Sequence, residues 1–125
     1  MKRIFSGSSF EADIGYARAV VDDQYVHVAG TTGYNYEDMT ISDDVVQQAE
    51  QCLQNIGKVL AEAGCSFEDV VRVHYIFPDG DDFEPCWPVF KKYFGAAPPA
   101  ATMIIAKLLD KAMRLEIEVT ARLNN

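Results

Sequence analysis

The chain has 125 residues, of which 49% are hydrophobic and 24% charged, and its formal net charge at pH 7 is −8. This length and composition are typical of a single globular domain with one core, spanning residues 1–125. Lysine and arginine are scattered singly, whereas nucleic-acid-binding proteins usually present a basic face, and no apolar run approaches the roughly 20 residues of a membrane span. We therefore expect neither nucleic acid nor a membrane as a partner, and the short mixed segment after Met1-Lys2-Arg3 predicts no signal peptide.

The N-terminal third of the chain predicts three strands. Residues 1–6 are expected to form a short edge strand, residues 7–15 a loop and residues 16–21 a second strand. Residues 25–32 alternate in polarity, as a strand with one buried face does, and residues 33–40 form a polar loop. The alternation sorts the side chains of the third strand into two faces, Val26 and Val28 on one and Tyr25, His27, Ala29 and Thr31 on the other.

Two amphipathic helices follow, separated by a strand at residues 70–77. Ser42 is the expected N-cap of the first helix, and Gly64 is expected to end it. Pro85 and Pro88 predict an irregular opening of the second helix, because proline is tolerated only in a first helical turn. The second helix is marked by Phe83, Trp87, Phe90, Tyr93 and Phe94. In the strand between the helices, alternation predicts Val71, Val73, Tyr75 and Phe77 on one face and Val70, Arg72, His74 and Ile76 on the other.

Two further strands are predicted at the C-terminal end. Residues 102–109 are almost continuously apolar, as in a strand that is covered on both faces, and residues 114–123 alternate strictly. The short segment at residues 110–113 favours a tight turn and therefore an antiparallel hairpin between the two strands. The polar face of the last strand carries Glu116 and Glu118, which suits either a solvated surface or the wall of a pocket.

The predicted order is β-β-β-α-β-α-β-β, an α+β fold with one mixed six-stranded sheet and two helices on one face. The uncovered face would mix polar with apolar side chains, which is unfavourable both for a core and for free contact with water. Packing against further copies of the same chain resolves this conflict, so the pattern predicts a closed homo-oligomer.

The cysteines and histidines give no sign of a metal site or a cofactor. Cys52, Cys65 and Cys86 lack C-x-x-C spacing, which predicts reduced thiols in a cytoplasmic protein. Cys52 lies on the apolar face of the first helix and is expected in the core, whereas Cys86 lies near a helix start, where a thiolate could be stabilised. His27 and His74 have no ligand-type neighbours at useful spacing, so a structural or interface role is favoured for both.

The C-terminal residues resemble the signature of the Rid family, the reactive intermediate deaminases that are also called YjgF-like proteins or L-PSP endoribonucleases. The resemblance is carried by Pro99-Ala100-x-Thr102, by residues 106–109 and by Leu115-Glu116-Ile117-Glu118-Val119, and it extends over essentially the whole chain. It implies a YjgF/chorismate-mutase-like fold that assembles as a homotrimer, with small-molecule pockets between subunits.

The resemblance also implies site positions. Tyr16 matches the family tyrosine, although the proline that precedes it in the family is missing, and Glu116 matches the glutamate that handles the attacking water. Ala101 stands where deaminating members carry an arginine that grips the substrate carboxylate, and alanine has no donor. Ala29 and Trp87 stand at positions that hold a serine and an asparagine in the family.

Two interpretations remain open at this point. In the first, the protein is a hydrolase acting on an imine, an enamine or a related small metabolite, without the usual activity on 2-iminobutanoate. Its pocket would be lined by Tyr16, Arg18, Thr31, Thr102 and Glu116, with Trp87, Ala101 and Met103 making it more apolar. In the second, the trimer binds a metabolite or is purely structural, and Arg18 pairs with Glu116 or Glu118 at an interface. An endoribonuclease is least favoured because of the negative charge.

Overall fold

A six-stranded sheet with two helices on one face forms the body of the molecule, which the computed structural model describes for residues 1–124. The six strands are β1 (Lys2–Ile4), β2 (Ala19–Val21), β3 (Tyr25–Thr31), β6 (Val70–Phe77), β7 (Ala100–Ile105) and β8 (Glu116–Arg122). A small separate hairpin is formed by β4 (Tyr34–Asn35) and β5 (Thr40–Ile41). The helices are α1 (Ser9–Ile14), α2 (Val45–Glu62) and α3 (Trp87–Phe94). The predicted α+β class with a mixed sheet is confirmed.

The sheet order, β1-β2-β3-β8-β6-β7, contradicts the predicted C-terminal hairpin. The strands β7 and β8 are not neighbours, because β7 lies parallel to β6 at the edge of the sheet and β8 lies between β3 and β6. A crossover through α3 carries the chain from β6 to β7, as a parallel pair requires. Most of β7 is exposed within a single chain, so its apolar side chains are not covered on both faces as predicted.

Two predicted loops contain short elements. Residues 7–15 include α1, which begins where the Ser8 hydroxyl accepts a hydrogen bond from the Phe10 N–H and ends at Gly15 with a φ of 95°. Residues 33–40 contain most of the small hairpin. Both elements are too short to produce a recognisable hydrophobic period, which is why the sequence pattern did not reveal them.

The ends of α2 follow ordinary capping chemistry. Asp44, not the predicted Ser42, is the N-cap, and its carboxylate accepts a hydrogen bond from the Gln47 N–H at 3.0 Å. Ser42 lies before the N-cap and stabilises it, because the Ser42 hydroxyl oxygen accepts a hydrogen bond from the Asp44 N–H at 3.1 Å. The predicted end at Gly64 is confirmed by its φ of 82°, a left-handed conformation that glycine adopts without strain. The irregular opening of α3 is also confirmed, since short 3₁₀ turns at Gly80–Asp82 and Glu84–Cys86 precede it.

The core lies between α2, α3 and the inner face of the sheet. The buried stripe of α2 consists of Ala49, Cys52, Leu53, Ile56, Val59 and Leu60. It belongs to one cluster with the buried strand residues Val26, Val28, Val73, Ile117, Val119 and Ala121. Tyr75 packs among Phe83, Phe90 and Phe94 from the α3 side, with ring centroids 4.3 to 6.4 Å apart. These contacts fix the helix layer on one face of the sheet and leave the opposite face open.

The alternation predicted for β6 fails at its first two residues. Val70 is buried and Val71 is 44% exposed, which reverses the predicted faces for this pair. The pairing register between β6 and β8 shifts between Val70 and Arg72, and such an irregularity changes which side chains point inward. From Val73 onward the prediction holds, with Val73, Tyr75 and Phe77 buried.

Gln48 connects α2 to the segment that leads into β8. Its side chain is fully buried, and its amide nitrogen donates to the carbonyl oxygens of Ser42 at 2.7 Å and Ala112 at 2.9 Å. Its amide oxygen accepts the Arg114 N–H at 2.9 Å. A buried amide with its hydrogen bonds satisfied in this way specifies one arrangement of the chain, and here it sets the position from which β8 begins.

We expect Gly33→Ala to lower the free energy of unfolding by about 3 kcal/mol, since a methyl group there must displace packed backbone. A Cβ at Gly33 would lie 2.6 Å from both the Cα and the carbonyl oxygen of Gln48. Gly64→Ala is the matched control, because its Cβ would meet open space and only the left-handed backbone is strained, at about 1 kcal/mol. Urea unfolding measures both. Equal losses in the two variants would contradict a close approach of Gly33 to α2.

Candidate functional site

The sheet face opposite α2 and α3, which we call the open face, carries the candidate site. Strand pairing places Glu116 beside Ile76 and Ile76 beside Ile104, so one carboxylate lies in a row with two apolar side chains. The next row contains Glu118, His74 and Thr102. Ile104 is 44% exposed within one chain. The prediction that this face mixes charged with apolar groups is therefore confirmed.

Glu116 is the half-buried carboxylate of this face. Its side chain lies against the backbone of Gly30 in β3, where a Cβ would come within 2.8 Å of the carboxyl carbon Cδ and closer still to Oε1. Only a residue without a side chain leaves room for Glu116 in this position. Burial raises the pKa of Glu116, and the charge of Glu118 raises it further, whereas the charge of Arg18 opposes both effects.

Arg18 lies on the buried side of this arrangement, with only 1% of its surface exposed. Its Nε donates to Glu11 Oε2 at 3.0 Å, and its Nη1 donates to the Gly30 carbonyl oxygen at 2.6 Å. The guanidinium also lies over the ring of Tyr36, 4.8 Å from the centroid. Arg18 therefore pairs with Glu11, not with Glu116 or Glu118. Sequence reasoning missed this partner because Glu11 belongs to α1, which was predicted as loop.

Tyr16 and Thr31 are joined to the same guanidinium. The Tyr16 hydroxyl oxygen accepts from Arg18 Nη2 at 3.1 Å, and the Thr31 hydroxyl oxygen accepts from Arg18 Nη1 at 3.2 Å. Thr31 is fully buried, which contradicts its predicted place on the outer face of β3 with Tyr25, His27 and Ala29. The reason is a bulge, since the register of β3 against β8 shifts between Val28 and Thr31.

The remaining predicted site residues lie on β7 and α3. Thr102 is exposed on the open face beside His74, whereas Ala101 and Met103 stand beside Val73 and Tyr75 on the helix side of the strand. Trp87, the first residue of α3, is 50% exposed, and its ring meets Phe83 edge-on at 5.9 Å. Within one chain, the structure thus links Tyr16, Arg18 and Thr31 to the Gly30 backbone under Glu116. It does not bring Ala101, Met103 or Trp87 into that cluster.

A second hydrogen-bonded network on the open face was not predicted from the sequence. Arg72 Nε donates to His74 Nε2 at 3.1 Å, and His74 Nδ1 lies 2.7 Å from Glu118 Oε1. Because arginine only donates, Nε2 must accept, and the ring proton then lies on Nδ1 and is donated to Glu118. Alternation already placed these three residues on one face, but only the strand register shows that His74 and Glu118 are opposite each other.

The thiols are buried groups. The thiol of Cys52 donates to the Thr31 carbonyl oxygen at 3.0 Å, which confirms its predicted core position. Burial raises the pKa of Cys86 to about 11, so the alternative of a stabilised thiolate at this residue is wrong. No group of three or more metal-ligating side chains converges among residues 1–124. In the same part of the chain, no helix combines the length and apolar character needed to cross a membrane.

Comparison with known proteins gives consistent matches over nearly the whole chain. Residues 6–123 match the family described as endoribonuclease L-PSP. Proteins named 2-iminobutanoate/2-iminopropanoate deaminase are 35% identical in Capra hircus and 32% identical in Homo sapiens, each over 97% of this chain and 90% of the relative. Among solved structures, a YjgF/YER057c/UK114 family member from Mycobacterium tuberculosis is similar with a TM-score of 0.88, 32% identity and 98% coverage of both chains. RidA from an Antarctic Psychrobacter is similar with a TM-score of 0.88, 28% identity and coverage of 98% of this chain and 100% of its own.

We expect Glu116→Gln to make the folded chain more stable than the wild type at neutral pH. The raised pKa of Glu116 means that the wild type loses stability as the pH rises from the carboxyl's unfolded value through its higher folded value. The glutamine variant lacks this loss, so the difference between the two free energies of unfolding should grow with pH over that window and then level off.

Asp22→Asn is a control of opposite sign for this experiment. A hydrogen bond from His27 lowers the pKa of Asp22 to about 2, so its stabilising effect is present above the unfolded value and is lost as the pH falls. Urea unfolding between pH 3 and pH 8 measures the three proteins. A stability difference between wild type and Glu116→Gln that does not change with pH would contradict burial of this carboxylate.

Proposed function

This chain belongs to the endoribonuclease L-PSP family, and we propose that it is a hydrolase acting on an imine, an enamine or a related small metabolite in a pocket between subunits of a homotrimer. The observation that carries the proposal is the half-buried Glu116 carboxylate on the open face. The deaminase names of its relatives support the reaction class. The net charge of −8 argues against the RNA substrate that the family description suggests.

Assembly supports a pocket at Glu116. A sheet face that combines Ile76 and Ile104 with carboxylates is unfavourable in water, and contact with other copies would cover the apolar part. The row containing Glu116 would then lie at a subunit boundary. Removal of water from this boundary would further strengthen the electrostatic interactions of the carboxylate.

Hydrolysis of an imine consumes one water and releases ammonia, so it needs a group that takes up a proton and returns it. With the imine nitrogen protonated, Glu116 would accept a proton from water as the water oxygen adds to the imine carbon, which gives a neutral amino alcohol. The proton held by Glu116 then goes to the amino nitrogen, the C–N bond breaks and ammonia leaves. The carbonyl group forms as the hydroxyl proton returns to Glu116, which passes it to the solvent. A carboxyl whose pKa is raised by burial suits both steps, because it takes up and returns a proton more readily than an exposed glutamate.

Tyr16 is the second candidate group. Its hydroxyl oxygen accepts the hydrogen bond from Arg18 Nη2, so its own proton remains available for a substrate atom or a water. Arg18 is not accessible in this way, since it is buried and four of its five N–H groups donate to Glu11, Gly30, Thr31 and Tyr16 inside the chain. In this proposal Arg18 and Thr31 therefore support the pocket from behind.

The proposed substrate is one that does not depend on a carboxylate. By resemblance, Ala101 stands at the position of the arginine in deaminating members, and neither Thr102 nor Met103 provides a bidentate donor. Exposed apolar surface at Trp87 would add to this preference if it borders the pocket of a neighbouring subunit. We therefore propose weak activity on 2-iminobutanoate and stronger activity on imines without a charged group.

A trimer without catalysis is the second candidate function, and one observation favours it. Tyr16, Arg18 and Thr31 form a buried hydrogen-bonded network that would stabilise the fold whether or not a substrate binds. The two candidate functions predict different effects when the Glu116 carboxylate is lost. Turnover should disappear if the protein is a hydrolase, whereas only stability or assembly should change if the trimer has no catalytic role.

We expect light scattering at micromolar concentration to give three times the chain mass of 13.9 kDa. Ile104→Asp should shift this mass toward the monomer, because it places a charge on the apolar row of the open face. Circular dichroism must show that the variant remains folded. A monomeric wild type would remove the proposed pocket together with the trimer.

We expect the wild type to accelerate the decay of 2-iminobutanoate weakly, and Ala101→Arg to increase this rate roughly 10–100-fold, as a charge-assisted bidentate pair of about 1.5–3 kcal/mol would. An amino-acid oxidase generates this substrate, and an amine oxidase generates imines without a carboxylate. Ala101→Lys is the matched control, since it adds charge without the planar fork. Wild-type decay of 2-iminobutanoate as fast as with an arginine-bearing relative would contradict the proposed role of Ala101.

The same assays test Glu116. Glu116→Gln should abolish turnover of whichever imine the wild type hydrolyses while the trimer remains intact. Glu118→Gln removes a carboxylate from the same face and should retain turnover, because that residue is exposed and bonded to His74. Full activity in Glu116→Gln would remove the only carboxylate assigned to the reaction and favour the second candidate.

A further inference from the structure

We infer that Arg18 is a positioning residue for Glu116, whose buried guanidinium holds the β3 bulge on which the Glu116 carboxylate rests. The inference rests on the proposed function of Glu116 for its catalytic meaning. In this role Arg18 touches neither the substrate nor the reacting water. It acts on Glu116 through the backbone of Gly30 and through its positive charge.

Arg18 contacts the bulge directly through two hydrogen bonds. Nη1 donates to the Gly30 carbonyl oxygen at 2.6 Å and to the Thr31 hydroxyl oxygen at 3.2 Å, while the Thr31 hydroxyl donates to the Ala29 carbonyl oxygen at 2.8 Å. The register shift between Val28 and Thr31 interrupts the regular ladder with β8. A half-buried carbonyl oxygen that is displaced from the ladder needs another donor, and Arg18 provides it.

The bulge in turn contacts the Glu116 side chain. A Cβ built on Gly30 would lie 2.8 Å from Glu116 Cδ and 3.2 Å from its Cγ, so the glutamate side chain crosses directly over the Gly30 Cα. The carboxylate therefore cannot stay where it is if the bulge moves toward it. The guanidinium on one side of Gly30 and the carboxylate on the other are coupled through a single residue.

The arrangement depends on a buried ion pair, whose desolvation costs free energy. Arg18 and Glu11 form an ion pair with 1% and 3% of their side chains exposed, and such a pair is often no more stabilising than apolar side chains of similar volume. Apolar side chains could not provide a hydrogen-bond donor for Gly30 or a positive charge near Glu116.

The groups facing Glu116 are Arg18, Glu118 and the Cys52 thiol. Burial is the main cause of the raised pKa of Cys52, and the charge of Glu116 raises that pKa further. Among these three groups, Arg18 alone favours the ionised carboxylate.

The test is an NMR titration of the Glu116 carboxyl carbon in the full-length protein, which requires no substrate. Arg18→Met should raise the pKa of Glu116 relative to wild type and move its chemical shift. Glu11→Gln should lower that pKa, because it leaves the charge of Arg18 uncompensated. Opposite shifts from two variants that both break the Arg18–Glu11 pair are not expected from a general loss of stability.

Arg18→Lys separates charge from geometry. Lysine keeps the positive charge but cannot reproduce the planar fork, so the bulge loses its fixed donors. We expect the pKa of Glu116 in Arg18→Lys to stay closer to the wild-type value than it does in Arg18→Met. We expect kcat, measured on the imine that the wild type hydrolyses, to fall about 100-fold, because a small misplacement of a reacting group has an effect of this size. Glu50→Gln is the matched control, since it breaks a carboxylate contact with Lys92 and Tyr93 between α2 and α3, away from the bulge.

The outcomes are distinct for the two proposals. If Arg18→Met and Glu11→Gln leave the Glu116 titration and chemical shift as in wild type, the positioning role is overturned, whatever the activity. If both shifts occur but no imine is hydrolysed by any variant or by wild type, the positioning role stands and the proposed reaction fails. If Arg18→Met does not fold, Glu11→Gln decides alone, and a titration like that of Glu50→Gln overturns the inference.

Discussion

The bulge at Gly30 and Thr31 in β3 is the constraint on which the rest of the candidate site depends. It turns the Thr31 side chain into the core, exposes the Gly30 backbone to Glu116 and directs the Gly30 carbonyl toward Arg18. A regular strand would do none of these, because strict alternation would put Thr31 on the open face and return the carbonyl to the ladder. The short helix α1 matters for the same reason, since it delivers the carboxylate of Glu11 that keeps the guanidinium of Arg18 in place.

The open face is the second consequence of the topology. Because the crossover through α3 adds β7 at the outer edge, the apolar side chain of Ile104 reaches the same row as Glu116 without being covered by either helix. Two helices suffice to cover one face of six strands and leave nothing for the other. Several polar groups on that face are hydrogen-bonded within the chain, as His74 is to Glu118 and His27 to Asp22. The exposed apolar surface at Ile104 is therefore what would favour association with other copies.

Much of this could be predicted from the sequence, because the dominant signals are local. The alternation of residues 114–123 placed Glu116 and Glu118 together on the face opposite the helices, and the stripe of α2 with Gly64 after it defined the main helix. The partner of β7 could not be predicted, since an apolar run next to a short polar segment fits a hairpin as well as a crossover. The burial of the Thr31 side chain could not be predicted either, because it results from a bulge. A bulge depends on the register between strands that are distant in the sequence. The partner of Arg18 depended on a helix of six residues without a periodic pattern.

The electrostatic balance at Glu116 connects the fold to the chemistry proposed for it. Burial alone would favour the neutral acid, which can donate a proton but cannot take one from water. The positive charge of Arg18 opposes that effect across Gly30, and the buried Glu11 limits how far it does so. A carboxyl held between these influences can alternate between its two protonation states, as hydrolysis of an imine requires. An anionic substrate would add negative charge beside this group without an accessible guanidinium to neutralise it, since Arg18 is buried and four of its five N–H groups donate inside the chain. In the proposed reaction, the same buried pair would therefore both position the carboxylate and favour an uncharged substrate.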